Sequence, residues 1–260
     1  MTNPPLLVAT AGPVTTLTLN RPDKRNALNI ELLEALVAAV ETADADASQR
    51  VLVLKGAGTV FCSGLDLAEA QIEERAHRSA DLVARGLAVM SHSRLVTIAA
   101  VQGAAIAGGA GLMSACDFTV ATRSAKFGYP EVRRGLVAGL IMTFLRRQLR
   151  ERDIRELLIL GKPFDAAHAH AIGLLNRVVA DEAGLELEVQ ALIASILQGA
   201  PGAIAHTKQL LADLWPQTVQ HDVDHALAFH LQARNSAEAR DGIAAFHAKR
   251  APPWAPPANP

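Results

Sequence analysis

The chain has 260 residues, half of them hydrophobic, and carries 25 Lys and Arg against 26 Asp and Glu, a formal net charge of −1. That length suits one large domain, or one domain with a small appendage, around a sizeable core. Balanced charge gives no footing for a nucleic-acid partner, two cysteines make no disulfide framework, and no apolar stretch reaches the length of a membrane span.

The opening Met1-Thr2-Asn3-Pro4-Pro5 lacks the basic and apolar regions of a signal peptide, so a soluble cytoplasmic chain is expected. Val14 to Leu19 alternates Thr with apolar residues, the pattern of a strand with one buried face. After a turn at Arg21-Pro22-Asp23, Leu28 to Val40 carries apolar residues at helical spacing, with Asn29 as N-cap. Val51 to Leu54 reads as a strand buried on both sides. Asp66 to Val89 reads as mostly helical, with a polar part from Gln71 to Asp81. Thr97 to Val101 is another buried strand, a helix begins near Gly109, and Asp117 to Ala121 and Lys126-Phe127 return to strand. Strand and helix therefore alternate through the first two-thirds, as in α/β folds.

Beyond Val132 the pattern is helical: Gly135 to Leu149, Asp153 to Leu160 and Asp165 to Ala171, then a short strand at Leu175 to Val179. Four more helices follow, Glu182 to Leu197, Gly202 to Leu214, Thr218 to Ala233 and Ala237 to Lys249, before an irregular Pro-rich end. The arginines from Arg146 to Arg155 alternate with Glu151 and Asp153 and read as a solvated helix face.

Two glycine-centred segments and one glutamate hold the chemistry. Phe61-Cys62-Ser63-Gly64-Leu65-Asp66 and Gly103 to Gly111 each follow a strand and lead into a helix. Such turns can aim two backbone N–H groups at one point and hold a developing oxyanion. Glu131, after Phe127-Gly128-Tyr129-Pro130, is either an ordinary first-turn glutamate or a carboxylate able to move protons nearby. Other chemistries fit less well. Gly109-Ala110-Gly111 lacks the third small residue of a dinucleotide turn. Cys62-Ser63 is not set in a nucleophile elbow. His221 and His225 share a helical face, but no third metal ligand accompanies them.

Taken in order, these pieces resemble the crotonase family, also called the enoyl-CoA hydratase/isomerase family. The matching segments are Leu19-Asn20-Arg21-Pro22 with Asn26-Ala27-Leu28, Phe61 to Leu67, Gln102 to Gly109, Ala115-Cys116-Asp117, Phe127 to Glu131, and Gly173 to Asn176 with Val178-Val179. The resemblance spans Val14 to Arg250. It implies an α/β fold, a ClpP-like spiral of β-β-α units followed by a helical C-terminal region. Residues 1–195 would form the core with the active site, and 196–260 a helical region for oligomerisation and for closing the coenzyme A site. It implies a homotrimer or hexamer acting on acyl-CoA thioesters. The oxyanion hole would be the N–H groups of Leu65 and Gly108, with Glu131 as the catalytic residue. Coenzyme A, part of the substrate rather than a cofactor, would lie near Lys24, Arg25, Ser63, Leu65, Asp66 and Leu67, with Phe246 and Lys249 closing over it, often across subunits. No metal is expected.

The chain departs from the straight-chain hydratases of that family in one respect. Those enzymes carry a second glutamate where Gly111 stands here. One carboxylate suffices to carry a proton between two carbons, which favours a Δ3-Δ2 enoyl-CoA isomerase. Against this, Glu131 to Ile141 resembles the bacterial methylglutaconyl-CoA hydratase branch, with Gly-Leu at Gly111-Leu112. The expectation is hydration of a 2-enoyl-CoA, with a branched or carboxylated acyl group among the options. Isomerisation stands second, and a non-catalytic scaffold binding acyl-CoA or a protein third.

Overall fold

A computed structural model describes residues 3–70 and 73–255, with backbone alone at 70, 73 and 74. The Pro-rich end past residue 255, Met1-Thr2, and the start of the polar stretch at Gln71 lie outside the described residues.

β1 (Leu6–Ala11) and β2 (Val14–Leu19) form an antiparallel hairpin. The later strands are β3 (Val51–Gly56), β4 (Val96–Val101), β5 (Ala104–Ile106), β6 (Phe118–Thr122), β7 (Lys126–Gly128), β8 (Phe164–Asp165) and β9 (Arg177–Val179). The larger sheet has the order β1-β2-β3-β4-β6-β9 and is parallel from β2 onward. A smaller sheet, β5-β7-β8, stands beside it. The helices of the first half are α1 (Ile30–Ala45), α2 (Leu67–Ala70), α3 (Glu73–His92) and α4 (Gly108–Ser114). Then come α5 (Gly139–Leu145), α6 (Glu151–Leu160) and α7 (Ala166–Ala171). The last four are α8 (Glu182–Gln198), α9 (Pro201–Asp213), α10 (Val219–Arg234) and α11 (Ala237–His247). Pro22–Lys24 and Glu131–Arg134 are 3₁₀ turns. This is the expected α/β class with a helical end.

Burial of both faces explains why Val51 to Leu54 of β3 is wholly apolar. Leu52 and Leu54 face the core shared with α1, while Val51 and Val53 face the other side against Leu185, Val189 and Ile193 of α8. Helix α1 starts where its cap directs, with the Asn29 side chain accepting from the Leu32 N–H at 3.1 Å.

Two elements differ from the sequence reading. β1 has only Leu6 buried, so its edge position leaves no alternation to read. The expected helix from Gly135 to Leu149 is broken. Gly135 takes φ +69 as the C-cap of the 3₁₀ turn, and regular helix resumes only at Gly139. Residues 195 and 196 both lie within α8. Helix α10 returns to pack on α3 and α5, and α11 packs on the 3₁₀ turn that carries Glu131. No single helix among the described residues is long and apolar enough to cross a membrane.

Candidate active site

The first glycine segment is laced between two others by backbone hydrogen bonds. Cys62 N–H donates to the Ala104 carbonyl (3.1 Å) and Ile106 N–H to the Cys62 carbonyl (3.0 Å). Ser63 N–H reaches the Arg25 carbonyl, Leu28 N–H the Gly64 carbonyl, and Asp66 N–H the Leu28 carbonyl, at 2.8 to 3.0 Å. The lacing uses the N–H of Cys62, Ser63 and Asp66, and passes over that of Leu65. Leu65 N–H donates to no group among the described residues.

The second segment brings a matching donor. Ala107 takes φ +51 and ψ −125, a conformation that costs a non-glycine residue about 1–3 kcal/mol. Its own N–H is held by the Gly128 carbonyl at 2.8 Å. The unusual ψ turns the next peptide, so that the Gly108 N–H also donates to no group among the described residues. Glycine allows the close approach. A Cβ on Gly64 would stand 2.9 Å from both the Ala107 Cβ and the Ile106 carbonyl oxygen. Behind them, a Cβ on Gly109 would collide with the Cys62 carbonyl at 2.5 Å.

Leu65, Gly108 and Glu131 line one cavity of about 600 Å³. Glu131 is 8% exposed, and its Oε2 is buried without a hydrogen-bond partner. Burial pushes its carboxyl up to about 7, against smaller opposing effects from its own backbone N–H and from Arg134. Asp66 lines the cavity as well, but it is tied to Arg21 in a 3.0 Å ion pair. Among the described residues these are the only carboxylates in the lining.

Lys24 and Arg25 lie exposed on the cavity wall, with Ser63 and Leu67 beside them. Phe246 reaches the same cavity from α11 of the same chain. Lys249, at φ +52 past the end of α11, does not line it. Neither does Gly111, which faces away from open space: a Cβ there would stand 3.0 Å from Ile141 Cγ1 and 3.5 Å from Leu87 Cδ2. The position that the resemblance gives to a second carboxylate is surrounded by packed hydrocarbon.

Cys62 is fully buried, donates its thiol to the Asn26 carbonyl at 3.1 Å, and is pushed up to about 12 by burial. It supplies no thiolate. His221 and His225 have no partner set for a metal: among the described residues no three His, Cys, Asp or Glu side chains converge.

Four titratable lining residues carried no role in the sequence reading: Arg134, His230, Arg234 and His247. His230 is held by the Val137 carbonyl (3.4 Å), and burial depresses its imidazole. Arg134 lies one 3₁₀ turn after Glu131, a spacing that gives a signal once the turn is known.

The family model described as enoyl-CoA hydratase/isomerase matches residues 9–257. A Thermus thermophilus protein provisionally named an enoyl-CoA hydratase is 36% identical over 247 residues, covering 93% of this chain and 97% of its own. The mevalonyl-coenzyme A hydratase of Aspergillus fumigatus is 31% identical, covering 92% and 90%. The crystal structure of an enoyl-CoA hydratase from Mycobacterium avium superposes with a TM-score of 0.85 at 32% identity, covering 98% of this chain and all of that one.

Proposed function

The chain belongs to the enoyl-CoA hydratase/isomerase family, and from that premise we propose that this enzyme adds water across the double bond of a 2-enoyl-CoA thioester. One observation carries the reading. A single buried carboxylate and two backbone N–H groups without protein partners open on one cavity.

The thioester oxygen accepts hydrogen bonds from Leu65 and Gly108. The carboxylate of Glu131 takes a proton from water as the water oxygen bonds to C3. The C2=C3 electron pair moves toward the thioester and leaves an enolate, whose charge the two N–H groups hold without rearrangement. Each such donor is worth about 3 kcal/mol of barrier. Glu131, now protonated, returns the proton to C2 and the enolate collapses. One carboxyl group performs both transfers, so water adds to one face. A carboxyl near neutrality suits both roles.

Lys24, Arg25, Ser63, Asp66, Leu67 and Phe246 line the path we assign to the coenzyme A portion, which belongs to the substrate. Lys249 joins that set only by a shift of the chain end. A branched or carboxylated acyl group is the finer reading, supported by the likeness of Glu131 to Ile141 to the methylglutaconyl branch and by the mevalonyl-CoA relative. A trimer or hexamer in the cytoplasm is our further reading, in which the helices beyond residue 195 join copies. Exposed Leu210, Leu211, Leu214 and Trp215 on and after α9 support it.

Isomerisation of a 3-enoyl-CoA is the second reading. It is favoured by the hydrocarbon packed against Gly111, which leaves one carboxyl group for proton traffic. Linear, branched and carboxylated 2-enoyl and 3-enoyl thioesters, followed by ultraviolet absorbance, separate the two. Loss of 2-enoyl absorbance that disappears in Glu131→Gln supports hydration. Conversion of 3-enoyl thioesters with none of the 2-enoyl set consumed sinks it in favour of isomerisation. Loss of neither, with no deuterium entering at C2 in deuterated water, returns the chain to a binding scaffold.

A further inference from the structure

Glu131 and Arg134 are the first and last residues of a 3₁₀ turn. In that helix three residues complete a turn, so side chains at i and i+3 lie in line. Both line the same cavity. Opposite charges so placed ordinarily pair, yet no ion pair joins these two, and Arg134 meets no other carboxylate among the described residues.

The guanidinium is held elsewhere. Its Cζ lies 4.2 Å from the centroid of the Phe246 ring, a stacked cation–π contact. Phe246 is fixed in turn because α11 rests directly on the 3₁₀ turn. A Cβ on Gly242 would stand 2.5 Å from the Arg134 carbonyl oxygen, and one on Gly135 would stand 2.4 Å from the Glu238 carbonyl carbon. The turn and the helix therefore approach backbone to backbone. Beside the propped guanidinium, Glu131 keeps a buried oxygen without a partner. A donor and an acceptor thus stand side by side in one cavity, held apart. A water molecule can accept from one and donate to the other. The alternative seat for a second water-holding group, at Gly111, is closed by Ile141.

We propose that Arg134 positions the attacking water, donating to its oxygen while the water donates to Glu131. This rests on the hydration reading above. The guanidinium cannot take a proton, so the proton leaving water has Glu131 as its destination. One lone pair of the water accepts from Arg134 and the other remains for C3. Arg134 then matters directly to water addition, and to proton transfer at C2 only through its pull on the Glu131 carboxyl, so both rates are compared well above pH 7, where that carboxyl is ionised.

That separation is the test. The full chain is assayed for hydration of a 2-enoyl-CoA, and for Glu131-dependent deuterium entry at C2 of the matching saturated acyl-CoA in deuterated water. Arg134→Met keeps the length and the contact with Phe246. Its hydration kcat is expected to fall by at least about 100-fold, the scale of losing one positioned donor, while deuterium entry stays near the parent rate. Arg134→Lys, which keeps a cationic donor, is expected to recover part of the hydration rate. Hydration unchanged in Arg134→Met overturns the proposal. So does a parallel loss of both rates in Arg134→Met and Arg134→Lys, which assigns the residue to structure. A parent chain that exchanges C2 protons but hydrates no 2-enoyl thioester overturns the hydration reading itself, and the proposal with it.

Discussion

Burial holds the Glu131 carboxyl at about 7 instead of its ordinary 4.5. With the carboxylate as the base, kcat/KM is expected to rise tenfold per unit below about pH 7 and to level above it, a profile absent from the residual activity of Glu131→Gln. The same shift acts on stability. Between pH 4.5 and 7 the folded chain keeps a proton that the unfolded chain has released, so stability falls as pH rises through that window. The full loss is about 3 kcal/mol. Glu131→Gln should therefore unfold at higher urea than the parent at pH 8 and show no such gain at pH 4. An equal difference at both pH values would refute a buried, proton-retaining carboxyl. The glutamate itself was legible from the sequence, because Phe127 to Glu131 is a recognisable run. Its surroundings were not, since the exposure of a side chain depends on residues from α10 and α11 that no local pattern ties to it.

At the scale of elements, glycine spacing revealed the two turns, and tertiary packing decided what they do. Nothing in Ala107 as a residue type announces φ +51, and short β5 has too few residues to show a period. The continuous helix expected after Gly135 failed for a related reason. Its apolar residues are spaced for burial against the cavity and α10, while Gly135 leaves the chain in a left-handed turn. Helix α4 packs on α5 where Gly111 meets Ile141. A glutamate introduced at 111 must displace that side chain, so Gly111→Glu is expected to lower unfolding free energy by about 1–3 kcal/mol. Combining it with Ile141→Ala should return part of the loss in urea denaturation, because the two changes touch. Strict additivity of the two losses would mean that Ile141 is not what fills the space.

Across the whole molecule, one substitution is expected to have opposite effects at two helical glycines. At Gly202, near the start of α9, an added methyl would meet nothing within 4 Å, whereas at Gly242 it would meet the Arg134 backbone at 2.5 Å. Gly202→Ala should be neutral or add up to about 1 kcal/mol, and Gly242→Ala should cost about 1–3 kcal/mol, both read by chemical denaturation. Equal effects would mean that α11 does not bear on the 3₁₀ turn. Residues 134 and 242 carry no mutual signal in the sequence, so the family resemblance alone brought Phe246 of the last helix to the cavity, and the contact of that helix with the 3₁₀ turn was not legible. The lacing of Cys62 to Asp66 between Arg25 to Leu28 and Ala104 to Ile106 has a kinetic consequence. Each of its rungs closes a loop of several tens of residues, so the two donor N–H groups converge only after distant parts of the sheet have docked. During refolding, thioester binding should return last, in step with the final loss of hydrogen exchange in β3 and β4, and no fragment ending before Ala104 should acquire it.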